Sequence, residues 1–138
     1  MLTIDKIIMK IKCISVKLNE DQLFVLGKYS SAKNHFSISL GEEYVVFGLT
    51  FEFNEFGNGC FVQILSNNNH LVHVPITLFD IIDERMSKYW ELKKFPGGNI
   101  AIWPPTLYKE FYHDDLSEDV PEVVEDFKRI KEQILSEF

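Results

Sequence analysis

His70 and His73, in the run HLVH, are the side chains of this sequence most easily cast as metal ligands. In an extended chain, positions three apart face opposite sides, and no nearby cysteine or carboxylate completes a ligand set. Asp80, Asp83 and Glu84 could act as general acid and base only in a pocket that drives their pKa values apart. Their spacing places them more simply on the solvated face of an amphipathic helix. No serine lies in a nucleophile-elbow pattern, and no glycine-rich run has the spacing of a phosphate loop. GNG and PGG read as turns. The sequence therefore predicts no catalytic residue, no metal and no cofactor.

One stretch remains. EFYHDDLSEDVPEVVEDF, residues 110 to 127, carries eight carboxylates and no lysine or arginine. Acids near a helix N-terminus stabilise the helix by about 0.3–1 kcal/mol each. That accounts for Asp119 and Glu122 and extends to Glu118, but it leaves Asp114 and Asp115 unexplained. So many like charges repel one another, which opposes folding unless a partner gains from them. Trp103, Tyr108, Phe111 and Tyr112 adjoin the segment. An aromatic patch beside carboxylates supplies both an anchor to bury and charges to steer a partner. Trp103 and Phe111 are expected in the core. The candidate contact residues are Tyr112, Asp114, Asp115, Glu118 and Asp119, with Glu42 and Glu43 as a weaker second patch.

The elements that must display these residues follow from apolar periodicity. In MKIKCISVKL, Met9, Ile11 and Cys13 share one strand face, whereas Ile14, Val16 and Leu18 share the other. Such a slip near Cys13 predicts a bulge or a strand covered on both sides. QLFVLGKY is a second short apolar run. GEEYVVFGLTFEF alternates without a break, with Val45, Phe47, Leu49, Phe51 and Phe53 on one face. Gly48, in mid-strand, predicts a sharp bend or a close approach by another backbone. NEFGNG supplies a turn, CFVQIL returns, NNN turns again and HLVHVPI extends, giving an antiparallel meander.

From Thr77 the spacing of Phe79, Ile82, Met86, Tyr89 and Trp90 predicts a helix, with Thr77 and Asp80 as its capping pair. NIAIW reads as a short strand stopped by Pro104 and Pro105. Val120, Val123, Val124, Phe127, Ile130, Ile134, Leu135 and Phe138 form one helical stripe, with Asp119 as N-cap and Pro121 in the first turn. Strands first and helices last predict an α+β fold: a bent antiparallel sheet, or a partly open small barrel, with packed helices and an amphipathic C-terminal helix.

A chain of 138 residues with 46% apolar side chains fits a single domain over residues 1–138. The N-terminus alternates lysine with apolar residues, unlike a secretion signal, and no apolar run reaches membrane-span length. Cys13 and Cys60 are too few for a disulfide framework and read as reduced thiols of a cytoplasmic protein. The net charge is −7, and residues 70–138 hold fourteen acidic against eight basic side chains. This balance argues against direct binding to nucleic acid or membrane and favours a cationic partner.

GEEYVVFGLTFEF, PITLFDIIDERMSKYW and IAIWPPTLYKEFYHDDLSEDVPEVVEDFKRIKEQI together resemble a family of small bacterial immunity proteins of polymorphic toxin systems, contact-dependent growth inhibition among them. The resemblance covers roughly residues 41 to 135 and rests on fold-determining positions. It implies a cytoplasmic, non-catalytic inhibitor that binds a cognate toxin domain, with carboxylates standing where a nuclease's phosphates would lie. The alternative is a regulatory or adaptor module holding a peptide or small ligand; the oligomeric state stays open.

Overall fold

The computed structural model describes residues 9–22, 36–54 and 57–136. Among the described residues, eight strands form two antiparallel sheets. The smaller has the order β2–β1–β6, from Glu43–Val45, Lys10–Cys13 and Phe79–Asp83. The larger has the order β5–β4–β3–β8–β7, from Leu71–Pro75, Gly57–Leu65, Gly48–Asn54, Ile100–Trp103 and Glu91–Lys94. Two helices follow, α1 at Tyr112–Ser117 and α2 at Pro121–Leu135. The fold is α+β, and the sheets do not close into a barrel. Among the described residues, no helix is long and apolar enough to cross a membrane.

The large sheet is the middle layer, because both of its faces carry apolar side chains that need cover. On one face Leu49, Val62, Ile64 and Val74 meet Ile11, Cys13, Tyr44 and Phe79 of the small sheet. On the other, Leu65, Leu71 and Trp103 pack with Phe47, Leu107 and Tyr112 and with Phe127, Ile130 and Ile134 of α2. The predicted stripe on α2 is this buried face; Phe138 lies outside the described residues. β4 is covered on both sides, so CFVQIL reads as nearly continuous apolar chain with one exception, Gln63.

GEEYVVFGLTFEF is not one strand. β2 pairs with β1, the chain passes through Val46 and Phe47, and β3 then joins the other sheet. The single apolar face expected from the alternation is split at this break: Val45 and Phe47 pack on the helix side of the large sheet, Leu49 and Phe51 on the side of the small sheet, and Phe53 is 49% exposed. Gly48 marks the changeover, as its place in the pattern predicted. A Cβ there would sit 2.8 Å from Trp103 Cδ1, 3.1 Å from Gln63 Nε2 and 3.2 Å from the carbonyl oxygen of Ile102.

The helix expected from Thr77 is absent. A single 3-10 turn at Ile76–Leu78 leads into β6, where Cys13 pairs with Phe79 and Ile11 with Ile81. The three- and four-residue spacing was coincidental, since Ile81, Ile82 and Met86 are all close to half exposed. β-branched residues beside the otherwise open edge of β1 favoured the extended form. The slip in MKIKCISVKL is also resolved differently: β1 ends at Cys13, and Ile14 and Val16 are exposed beyond it. The pairing with β6 does shift register between Lys10 and Ile11, where Ile82 of β6 is passed over. Of QLFVLGKY, only Gln22 falls within the described residues.

The contacts around Gly48 involve a packed indole and a backbone carbonyl, neither of which can swing aside. Gly48→Ala is therefore expected to destabilise the protein by about 1–3 kcal/mol. Thermal unfolding checks this: a midpoint several degrees lower is expected, and an unchanged midpoint would show slack where the structure has none.

Candidate functional site

The acidic segment folds into α1 and the start of α2, and two left-handed residues frame α1. Pro104 ends β8, and a 3-10 turn at Pro105–Tyr108 carries the chain off the sheet. The chain then reverses through a turn closed by the Tyr112 N–H donating to Lys109 O, at 3.1 Å. Phe111 occupies the third position of that turn with φ 62° and ψ 9°, a place where glycine or asparagine is usual. At the other end, Asp119 N–H donates to Leu116 O and Val120 N–H to Asp115 O, with Asp119 at φ 57°. This is the Schellman arrangement, again with a side chain where glycine is favoured. Asp119 is therefore spent on closing α1 and does not cap α2, whose N-cap is Val120 with no side-chain hydrogen bond.

The inner side of α1 is fixed by two polar contacts. Tyr112 is 4% exposed and donates from its hydroxyl to Asp126 Oδ2 at 2.9 Å, while Arg129 holds Asp126 Oδ1 at 3.1 Å. His113 Nε2 lies 2.9 Å from Gln63 Oε1 on β4, and Gln63 has no exposed surface. Aromatic rings enclose this amide. Trp103 stands edge-on to His113 at 4.9 Å and stacks on Tyr108 at 4.8 Å; its indole N–H donates to Thr50 Oγ1 at 3.0 Å. His73, on β5, brings its ring to 5.4 Å from His113. Burial pushes the His113 imidazole below its usual range, and the Asp114 carboxylate offsets only part of this. Burial also lowers His73, with a smaller push from His113. His73 keeps more than a third of its surface open, so solvent screens its depression.

The outer side of α1 presents the charges. Phe111 is 64% exposed, contrary to its expected place in the core. Glu110, Asp114, Glu118 and Asp119 are exposed beside it, and Asp115 is half-buried. Among the described residues none of these five carboxylates forms an ion pair, whereas Glu125 and Asp126 meet Lys128 and Arg129 on α2. The structure thus gathers Asp114, Asp115, Glu118 and Asp119 on one short element but turns Tyr112 inward, and Phe111 takes the exposed aromatic position. Glu42 and Glu43 are exposed at the edge of the small sheet, and no hydrogen bond or ion pair among the described residues links them to α1.

Comparison with known protein families, curated proteins and solved structures finds no match to this chain.

Among the described residues no three His, Cys, Asp or Glu side chains converge as metal ligands, and His73 and His113 have no third such partner. Cys13 and Cys60 are free thiols. Gln63, His113 and Phe111 were missed from sequence. Gln63 carried a usable signal, being the single polar residue of a strand otherwise apolar on both faces. Phe111 carried none, since its conformation depends on where β8 and α1 leave the chain.

Burial, then the bond to Asp126, raises the Tyr112 phenol above its usual range. The fold therefore favours the neutral phenol, and this stabilisation is present below about pH 10 and lost as pH rises beyond it. Tyr112→Phe should lower stability at pH 7 by about 1.5 kcal/mol, the lower end for a hydrogen bond to a charged group. Urea unfolding at pH 7 and pH 10.5 tests it. The variant should lose less stability than the parent between those two values, and equal losses would contradict the assignment.

Proposed function

We propose that this chain is a non-catalytic inhibitor of the immunity type, which docks the outer side of α1 onto a cationic toxin domain. The observation that carries the reading is Phe111: a large apolar ring, 64% exposed, held left-handed among carboxylates that have no ion pair among the described residues. A bulky residue at positive φ costs about 1–2 kcal/mol, and exposing the ring returns nothing to the free fold. Asp119 is also left-handed, eight residues later, though a short polar side chain adopts that conformation at lower cost. Strain of this kind persists where a function uses it.

The partner supplies what the free protein lacks. Its lysines and arginines neutralise Asp114, Asp115, Glu118 and Asp119, and an apolar recess receives Phe111. Charges speed the encounter and the aromatic ring sets the dissociation rate. Glu42 and Glu43 lie on a separate element and act as outlying contacts. The helix pair rests on a buried face of the large sheet, so the surface is presented with little freedom to lose on binding.

Co-expression with a basic toxin domain encoded beside this gene should restore growth, and the two should copurify. In the purified pair, Phe111→Gly is expected to weaken binding about 30-fold or more, as for an anchor residue. The same change should leave the free protein as stable or about 0.5–1 kcal/mol more so, because glycine relieves the left-handed strain at some entropic cost. Converting the four acids of α1 and its C-terminal turn to amides should slow association about tenfold at low salt and flatten its salt dependence. Unchanged affinity and unchanged association rate in both variants would remove the docking role.

A further inference from the structure

Beneath the docking edge lies a polar group the binding reading does not use. Gln63 is completely enclosed, its Oε1 faces His113 Nε2 at 2.9 Å, and its Nε2 has no hydrogen-bond partner among the described residues. Each imidazole is also short of partners. Among the described residues His113 has one side-chain hydrogen bond, to Gln63, and His73 meets His113 and Trp103 through ring contacts, at 5.4 and 6.2 Å between centroids. A proton added to His113 creates a cationic N–H with no acceptor on these elements, and one added to His73, which is more than a third exposed, places a positive charge on a ring centred 5.4 Å from it.

We propose that the His73–His113 pair is a proton-sensitive latch for α1: neutral imidazoles let the helix close on β4 and β5, and mild acid releases it. The consequence for the partner, release of the docking edge, rests on the binding role proposed above; the latch itself belongs to the free protein.

The charged and titratable groups facing the pair are few. Asp114 follows His113 on α1, and Tyr112 precedes it. β4 contributes the neutral Gln63, and β8 and the turn after it contribute Trp103 and Tyr108. On α2, Asp126 and Arg129 are engaged with Tyr112 and with each other. Only Asp114 favours a charged His113, and burial outweighs it. Two protons on rings this close would also repel each other.

The sign follows from linkage. Both histidines bind protons more weakly in the closed form than in an open one, where their affinity is ordinary. Closure is therefore complete above about pH 6.5 and weakens as pH falls below it. α1 has six residues and cannot persist as a helix once detached, so opening exposes its amides as a local unit.

Hydrogen exchange on the free chain tests the latch without any partner. The amides of Asp115 and Glu118, bonded to Phe111 O and Asp114 O, report α1 directly. After correction for intrinsic rates, their opening equilibrium should rise about tenfold between pH 7 and pH 5. Amides of β4 should not change. In a His73→Phe, His113→Gln double variant, glutamine can still bond Gln63, and the acid step should vanish. Equal α1 protection at both pH values in the parent, or the same acid step in the double variant, overturns the latch. Failure to find a cationic partner would leave this result untouched.

Discussion

The second face of the large sheet is organised around a missing side chain. Gly48 has no Cβ, so the Trp103 indole and the Gln63 amide can lie where one would stand, within 2.8 and 3.1 Å of its ideal position. Trp103 then reaches Thr50 and Tyr108, and Gln63 reaches His113. His113 sits next to Tyr112, whose bond to Asp126 ties α1 to α2. A chain of contacts thus runs from one glycine at the start of β3 to the surface carboxylates. Filling that notch would disturb the seat of α1 before it disturbed the main core on the opposite face.

The two sides of α1 obey opposite rules. Inside, the Tyr112 hydroxyl and the His113 imidazole each find a hydrogen-bond partner, while among the described residues Gln63 Nε2 and Thr106 Oγ1 find none. Outside, like charges stand together and two residues hold backbone angles that suit glycine. The inner order is what makes the outer strain tolerable, because a six-residue helix has no stability of its own and takes its geometry entirely from the sheet and α2.

Much of this architecture was legible in the residues. Alternation identified the β3–β4–β5 meander, the stripe on α2 was unambiguous, and Gly48 announced a close approach. Where the reading failed, local pattern competed with tertiary pairing. Phe79, Ile82 and Met86 had helical spacing, yet β1 needed a partner and drew that segment into β6. Asp119 had the chemistry of an N-cap, yet the short connection between two helices required a left-handed residue there. Tyr112 and Phe111 exchanged their expected places for a similar reason: which of two adjacent aromatics faces the core depends on the turn at Lys109, and the sequence holds no glycine to mark that turn.

The central proposal is that the outer side of α1 meets a cationic toxin domain. Amide hydrogen exchange on the complex with the cognate toxin domain, compared with the free chain at the same pH, tests it most directly. Protection gained across residues 110 to 119, with β7 and the open groove beside Cys60, Pro75 and Thr77 exchanging as before, is the result expected. A footprint on β7 or on that groove, with residues 110 to 119 exchanging as in the free protein, would contradict the account.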